Sequence, residues 1–122
     1  MIEHKHLIVK GSMDKSLSVI QVEQFLLDLV DVLDMELMKG VPTNPNVGYE
    51  GGKDSGVTGC ALITTSHLVL HTWDKSLDFQ LDVYSCKNYS PKDVENLCNK
   101  FGLKIDDKRF FDRKYNIIDE NI

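Results

Sequence analysis

The chain is poor in several things, and each shortage excludes something. Only three cysteines, Cys60, Cys86 and Cys98, occur in 122 residues, at irregular spacing. An odd, scattered set argues against a disulfide-stapled secreted framework and predicts reduced thiols in a cytoplasmic protein. No C-x-x-C or H-E-x-x-H pattern is present. His4-x-His6 supplies two imidazoles, too few for a zinc site, so no metal is expected. No apolar run approaches the eighteen residues of a membrane helix, and the opening MIEHKHLIVKG has no signal-peptide core. Basic residues are also scarce: 14 Lys and Arg stand against 19 Asp and Glu, a net charge of −5. That balance argues against nucleic acid, which wants clustered lysine and arginine, and is compatible with a small cationic ligand.

What remains is an ordinary soluble composition, 42% hydrophobic and 27% charged. A chain of this length buries about two-thirds of its unfolded surface, enough for one domain over residues 1–122. Residues 4–10 read as a first strand ended by Gly11. Ser18, with Gln21 three residues on, forms a capping box for a long amphipathic helix. Its apolar positions, Val19, Val22, Phe25, Leu26, Leu29, Val30, Leu33 and Leu37, recur through Met38, and Gly40 stops it. Val41 to Tyr49 is broken by Pro42 and Pro45 and reads as an edge strand or loop. EGGKDSG, residues 50–56, is a polar turn. Ser90-Pro91-Lys92-Asp93 starts a second helix, whose buried stripe is Val94, Leu97, Cys98 and Phe101. Leu103 to Tyr115 is the last strand. The expected class is α+β: a two-layer sandwich, mainly antiparallel sheet, with two helices on one face.

The densest signal lies between Gly56 and Cys86, GVTGCALITTSHLVLHTWDKSLDFQLDVYSC. It reads as three strands, with Asp74-Lys75-Ser76 as the turn between the last two. Alternation puts His67, Val69, His71 and Trp73 on one face and Ser66, Leu68, Leu70 and Thr72 on the other. Ser66 and His71 therefore meet only if the chain bends near Thr65-Ser66 or the serine ends its strand. Three reactive side-chain types stand here. A serine hydroxyl is a nucleophile once a neighbour takes its proton, histidine is the usual acceptor, and a cysteine thiol can pass a proton. Each also has a plain structural role: a strand serine, a packed histidine, a small buried thiol.

Thr65-Ser66-His67-x3-His71-Thr72-Trp73 followed by Asp82-Val83-Tyr84-Ser85-Cys86 resembles the core of the prokaryotic S-adenosylmethionine decarboxylase proenzyme family. That family carries E-S-H-x3-H-T-W/Y-P-E and then D-I/V-F/Y-S/T-C. Both intervals match, five residues from serine to histidine and fifteen from histidine to cysteine. Gly56-Val57-Thr58-Gly59 resembles the family's glycine-rich entry to this block, and His4 to Val9 its opening strand. The resemblance implies a pyruvoyl-dependent carboxy-lyase that makes its cofactor from Ser66, by self-cleavage between Thr65 and Ser66. The pyruvoyl ketone takes up a substrate amine and draws electrons as CO2 leaves. It further implies His71 as the processing base, Thr58 as the assisting hydroxyl and Cys86 as the proton donor to the substrate. Tyr49 aligns with an adenine-stacking aromatic, and the family forms twofold dimers with active sites near the subunit interface.

Two positions depart from the pattern. Thr65 replaces the glutamate before the serine, a β-branched residue that crowds the carbonyl to be attacked and predicts slow processing. Asp74-Lys75 replaces P-E, whose glutamate accepts the ribose hydroxyls; lysine is a donor only. Tyr49, Asp74 and Lys75 are thus the expected substrate-binding residues. Three readings stay open: S-adenosylmethionine decarboxylation for spermidine synthesis, arginine or ornithine decarboxylation, and an uncleaved regulatory paralogue.

Overall fold

The computed structural model describes residues 4–39, 46–47, 55–114 and 117–119. The element order is β1 (Lys5–Met13), α1 (Val19–Val32), β2 (Asn46–Val47), β3 (Val57–Ile63), β4 (Ser66–Trp73), β5 (Asp78–Ser85), α2 (Pro91–Lys100), β6 (Leu103–Asp112) and β7 (Ile117–Asp119). The strands form one sheet in the order β2-β3-β4-β5-β1-β6-β7, every neighbouring pair antiparallel. Leu7 and Val9, Ala61 and Ile63, Leu68 and Leu70, and Phe79, Leu81 and Val83 are all buried, as period-2 alternation requires. They pack against Val22, Phe25, Leu26 and Leu29 of α1 and Val94, Leu97 and Cys98 of α2. The expected α+β sandwich, with both helices on one sheet face, is the observed one. No helix among the described residues is long and apolar enough to cross a membrane.

Local signals explain most boundaries. Ser18 and Gln21 make the reciprocal capping box, with Gln21 N–H donating to Ser18 Oγ at 3.2 Å and Ser18 N–H to Gln21 Oε1 at 2.8 Å. Ser90 caps α2 and Pro91 opens it. The first helix is shorter than its apolar period suggests. It ends at Val32, because Asp34 takes a left-handed conformation (φ +54°) and closes a Schellman motif. Asp34 N–H donates to Asp31 C=O and Met35 N–H to Val30 C=O. The freed segment turns back to the sheet, where Met38 N–H bonds Leu62 C=O and Thr64 N–H bonds Glu36 C=O. The predicted stop at Gly40 lies outside the described residues.

Gly11 does not end β1. The strand continues to Met13 across a register shift against β6. A side chain at Gly11 would lie 1.9 Å from Lys104 C=O and 2.7 Å from Phe79 Cε1, so glycine here permits a close approach. Gly11→Ala is expected to cost at least about 3 kcal/mol by overpacking. The check is the urea midpoint at unchanged slope.

Candidate functional site

The face of the sheet away from the helices carries the chemistry. The registers align Thr58, His71 and Gln80 in one row and Leu62, His67, Tyr84 and His6 in another. All four histidines of the chain make contacts on this face. His71 Nδ1 is 3.0 Å from Thr58 Oγ1, a hydrogen bond between residues thirteen apart in sequence. His4, His6 and His67 surround Tyr84, with ring centroids 5.3 to 5.4 Å apart. The Tyr84 hydroxyl pairs with His4 Nδ1 at 2.9 Å, and the Arg113 guanidinium lies 4.8 Å from the ring centroid. The His6 ring lowers the Asp82 carboxyl pKa; burial opposes this, and charge on His6, His67 and His71 adds to it. At 3.7 Å the His6–Asp82 contact is longer than a hydrogen bond, so its influence is electrostatic.

The Thr65–Ser66 bond sits at the start of β4, at one end of the sheet. Thr64 and Thr65 form the tight turn from β3 to β4, and Ser66 begins β4 opposite Ile63 and Ser85. The alternative in which the serine ends its strand is the one the fold adopts. Ser66 has φ +153°, backbone strain for a residue with a Cβ. The Thr65 carbonyl accepts the Cys86 backbone N–H at 3.1 Å. Thr65 Oγ1 accepts the Ser85 hydroxyl at 2.8 Å, and Ser85 Oγ itself accepts Lys87 N–H at 2.9 Å. Lys87 in turn bonds Asp34, tying the start of the β5–α2 connection to the end of α1.

The predicted residues therefore fall into two groups. Thr65, Ser66 and Cys86 come together; so do Thr58 and His71. Five residues of strand, about 16 Å, separate Ser66 from His71. Ser66 shares its row with the buried Ile63 and Ser85, whereas His71 stands on the open face. Asp74 and Lys75 lie further away, in the β4–β5 turn. Asp74 is held by Ser55: its N–H donates to Ser55 C=O at 2.7 Å, and Ser55 Oγ donates to Oδ2 at 3.2 Å. Tyr49 lies outside the described residues. A cleft of about 770 Å³, lined by Lys10, Trp73, Asp78, Gln80 and Asp106 among others, opens at the His71 end, not at Ser66. Among the described residues, no group of three or more His, Cys, Asp or Glu is placed to hold a metal.

Sequence reasoning missed two features. Tyr84 as the hub of three histidines depends on aligning three strands, although the alternation within each was visible. The bonds from Ser85 and Cys86 to Thr65 depend on the register between β4 and β5. The S/T-C pair in the motif was their only signal.

A family model described as S-adenosylmethionine decarboxylase matches residues 11–114. An S-adenosylmethionine decarboxylase proenzyme of Methanococcus maripaludis is 36% identical over 66 residues, 53% of this chain and 53% of that protein. One from Clostridium tetani is 31% identical over 78 residues, 63% of this chain and 59% of that protein. An arginine decarboxylase proenzyme of Pyrobaculum arsenaticum is 38% identical over 42 residues, 34% of this chain and 32% of that protein. The chain thus spans about half the length of the curated relatives it matches, and at most 59%. The crystal structure of the adenosylmethionine decarboxylase from Aquifex aeolicus superposes with a TM-score of 0.68 at 17% identity, covering 99% of this chain and 97% of that one. That likeness establishes the fold.

Proposed function

The chain belongs to the S-adenosylmethionine decarboxylase family, and from that premise we propose that it is a proenzyme which cuts itself between Thr65 and Ser66 and then acts as a pyruvoyl-dependent carboxy-lyase. The observation that carries this reading is the Thr65 carbonyl, held by Cys86 N–H beside a serine in strained backbone. In the first step Ser66 Oγ bonds to the Thr65 carbonyl carbon. Negative charge grows on the Thr65 oxygen, where the fixed Cys86 N–H stabilises it. The C–N bond then breaks, the nitrogen takes up the proton lost by the hydroxyl, and the peptide has become an ester. A base next removes the Ser66 α-proton, and Thr65 leaves as a carboxylate. Water enters and ammonia departs, leaving a ketone at residue 66.

Residues present fit such a group: Ser66 is its precursor, and Cys86 follows Ser85, the register partner of Ser66. When formed, the pyruvoyl group supplies an electron sink for loss of CO2. Cys86 is the residue that returns a proton to the substrate.

The base is His71, oriented by Thr58, and it serves Ser66 from a second copy of the chain. About 16 Å of strand lies between Ser66 and His71, far beyond hydrogen-bond reach within one chain. The open faces of two copies packed about a twofold axis bring the Ser66 end of one against the His71 end of the other.

The leading substrate is S-adenosylmethionine, the reading that overall family membership favours. A specific observation favours a second, arginine or ornithine. Lys75, where the family has its ribose-binding glutamate, offers no acceptor, and Asp74 beside it has one carboxylate oxygen on Ser55 and the other buried away from solvent. Release of labelled CO2 from each amino acid decides between them. Release from S-adenosylmethionine alone is expected; release only from arginine or ornithine overturns that choice. In the same assay, Cys86→Ala is expected to mature normally yet to lose correct decarboxylation. No release from any substrate, with copurification of an active decarboxylase, would support the regulatory paralogue instead.

A further inference from the structure

We propose that Ser85 and Thr65 form a hydroxyl clamp that positions the scissile carbonyl, and that Thr65 is a working part of this chain's processing site. The inference rests on the self-cleavage reading above and adds two positioning residues to it. Ser85 is completely buried, yet its hydroxyl makes two bonds, accepting Lys87 N–H at 2.9 Å and donating to Thr65 Oγ1 at 2.8 Å. Residue 65 is then held on two sides, by its side chain on Ser85 and by its carbonyl on Cys86 N–H. The preceding N–H of Thr64 is held as well, on Glu36 C=O. A turn pinned at three points can keep Ser66 at φ +153°.

The clamp changes what threonine does here. A β-branched residue beside the reacting carbonyl crowds it if free to rotate. With Oγ1 anchored on Ser85, χ1 is confined to one well, so the methyl cannot sweep across the path of the Ser66 hydroxyl. The covalent step is untouched: Ser66 Oγ bonds to the Thr65 carbon, the Thr65–Ser66 C–N bond breaks, and the hydroxyl proton ends on the nitrogen. The clamp only sets the geometry of attack, where small displacements have large effects on rate.

The discriminating variant is Thr65→Val, which keeps shape and crowding and loses the acceptor. If crowding alone governs the rate, it cuts as fast as the parent. If the clamp operates, cleavage slows about ten- to a hundred-fold. Ser85→Ala should slow it comparably, Ser85→Thr should keep near-parental cleavage, and Thr65→Val/Ser85→Ala should be no slower than the slower single variant. The measurement is a time course of cut and uncut chain by mass after a pulse of cell-free synthesis of the full chain. Melting temperature is recorded alongside, because a purely structural loss moves it. Should Ser85→Ala fail to fold, Thr65→Val decides alone. Parental rates in Thr65→Val, or slowing that multiplies in the double variant, overturn the clamp and leave self-cleavage standing. A parent chain that never cuts overturns self-cleavage and the clamp together.

Discussion

Replacing Ser66 by alanine is expected to leave one uncut species near 13.9 kDa, where the parent yields fragments of 65 and 57 residues. The expectation follows from the atoms. Only the Ser66 hydroxyl is one residue from the Thr65 carbonyl on the same backbone. Thr65 Oγ1 is engaged by Ser85, and the Cys86 contact with that carbonyl is made by backbone N–H, not by sulfur. Alanine removes the attacking atom while keeping the Cβ. The effect is complete loss, not slowing, and the larger parental fragment carries the free C-terminal carboxylate of Thr65. Intact mass after prolonged incubation of folded protein is the check. A parent chain that stays whole over days sinks self-cleavage and with it the catalytic reading.

Mixing two dead variants is expected to restore cleavage. His71→Ala alone should stop at the ester, since the acyl shift precedes α-proton removal, and hydroxylamine should cut that ester. Ser66→Ala alone cannot start. In a dimer of one of each, the intact Ser66 of the first chain faces the intact His71 of the second. With random pairing about half of the His71→Ala chains then mature, and no Ser66→Ala chain does. A mass difference between the two chains reads this directly. If His71 served its own chain, the mixture would behave as the sum of its parts, and the two-copy site would be wrong. The separation of Ser66 and His71 along β4 is the reason to expect restoration.

Much of this was legible in the linear chain. Both helix caps, the alternation of β3 to β5 and the α+β class follow from local rules, because caps and pleats involve residues within four positions of each other. The alternation of β4 by itself sets Ser66 and His71 on opposite faces. Two local signals misled for the same reason. Gly11 reads as a stop along the chain, although tertiary contact with Lys104 and Phe79 uses it as a point of close approach. The apolar period after Val32 reads as helix, although Asp34 turns the chain so that Leu37 bridges to Ile63 in the sheet.

By itself, then, the sequence determined which residue types stand at reactive spacing and which face of each element is apolar. Both are properties of neighbours along the backbone. Only the tertiary structure decided which of them meet. Thr58 and His71 pair because β3 and β4 are in one register, and Ser85 and Cys86 reach Thr65 because β5 is in another. Registers are set by the packing of a whole sheet against two helices, where a one-residue slip would turn every apolar side chain outward. No local pattern encodes that sum, so the hydrogen bond from Ser85 to Thr65 and the one between Thr58 and His71 became visible only in the folded chain.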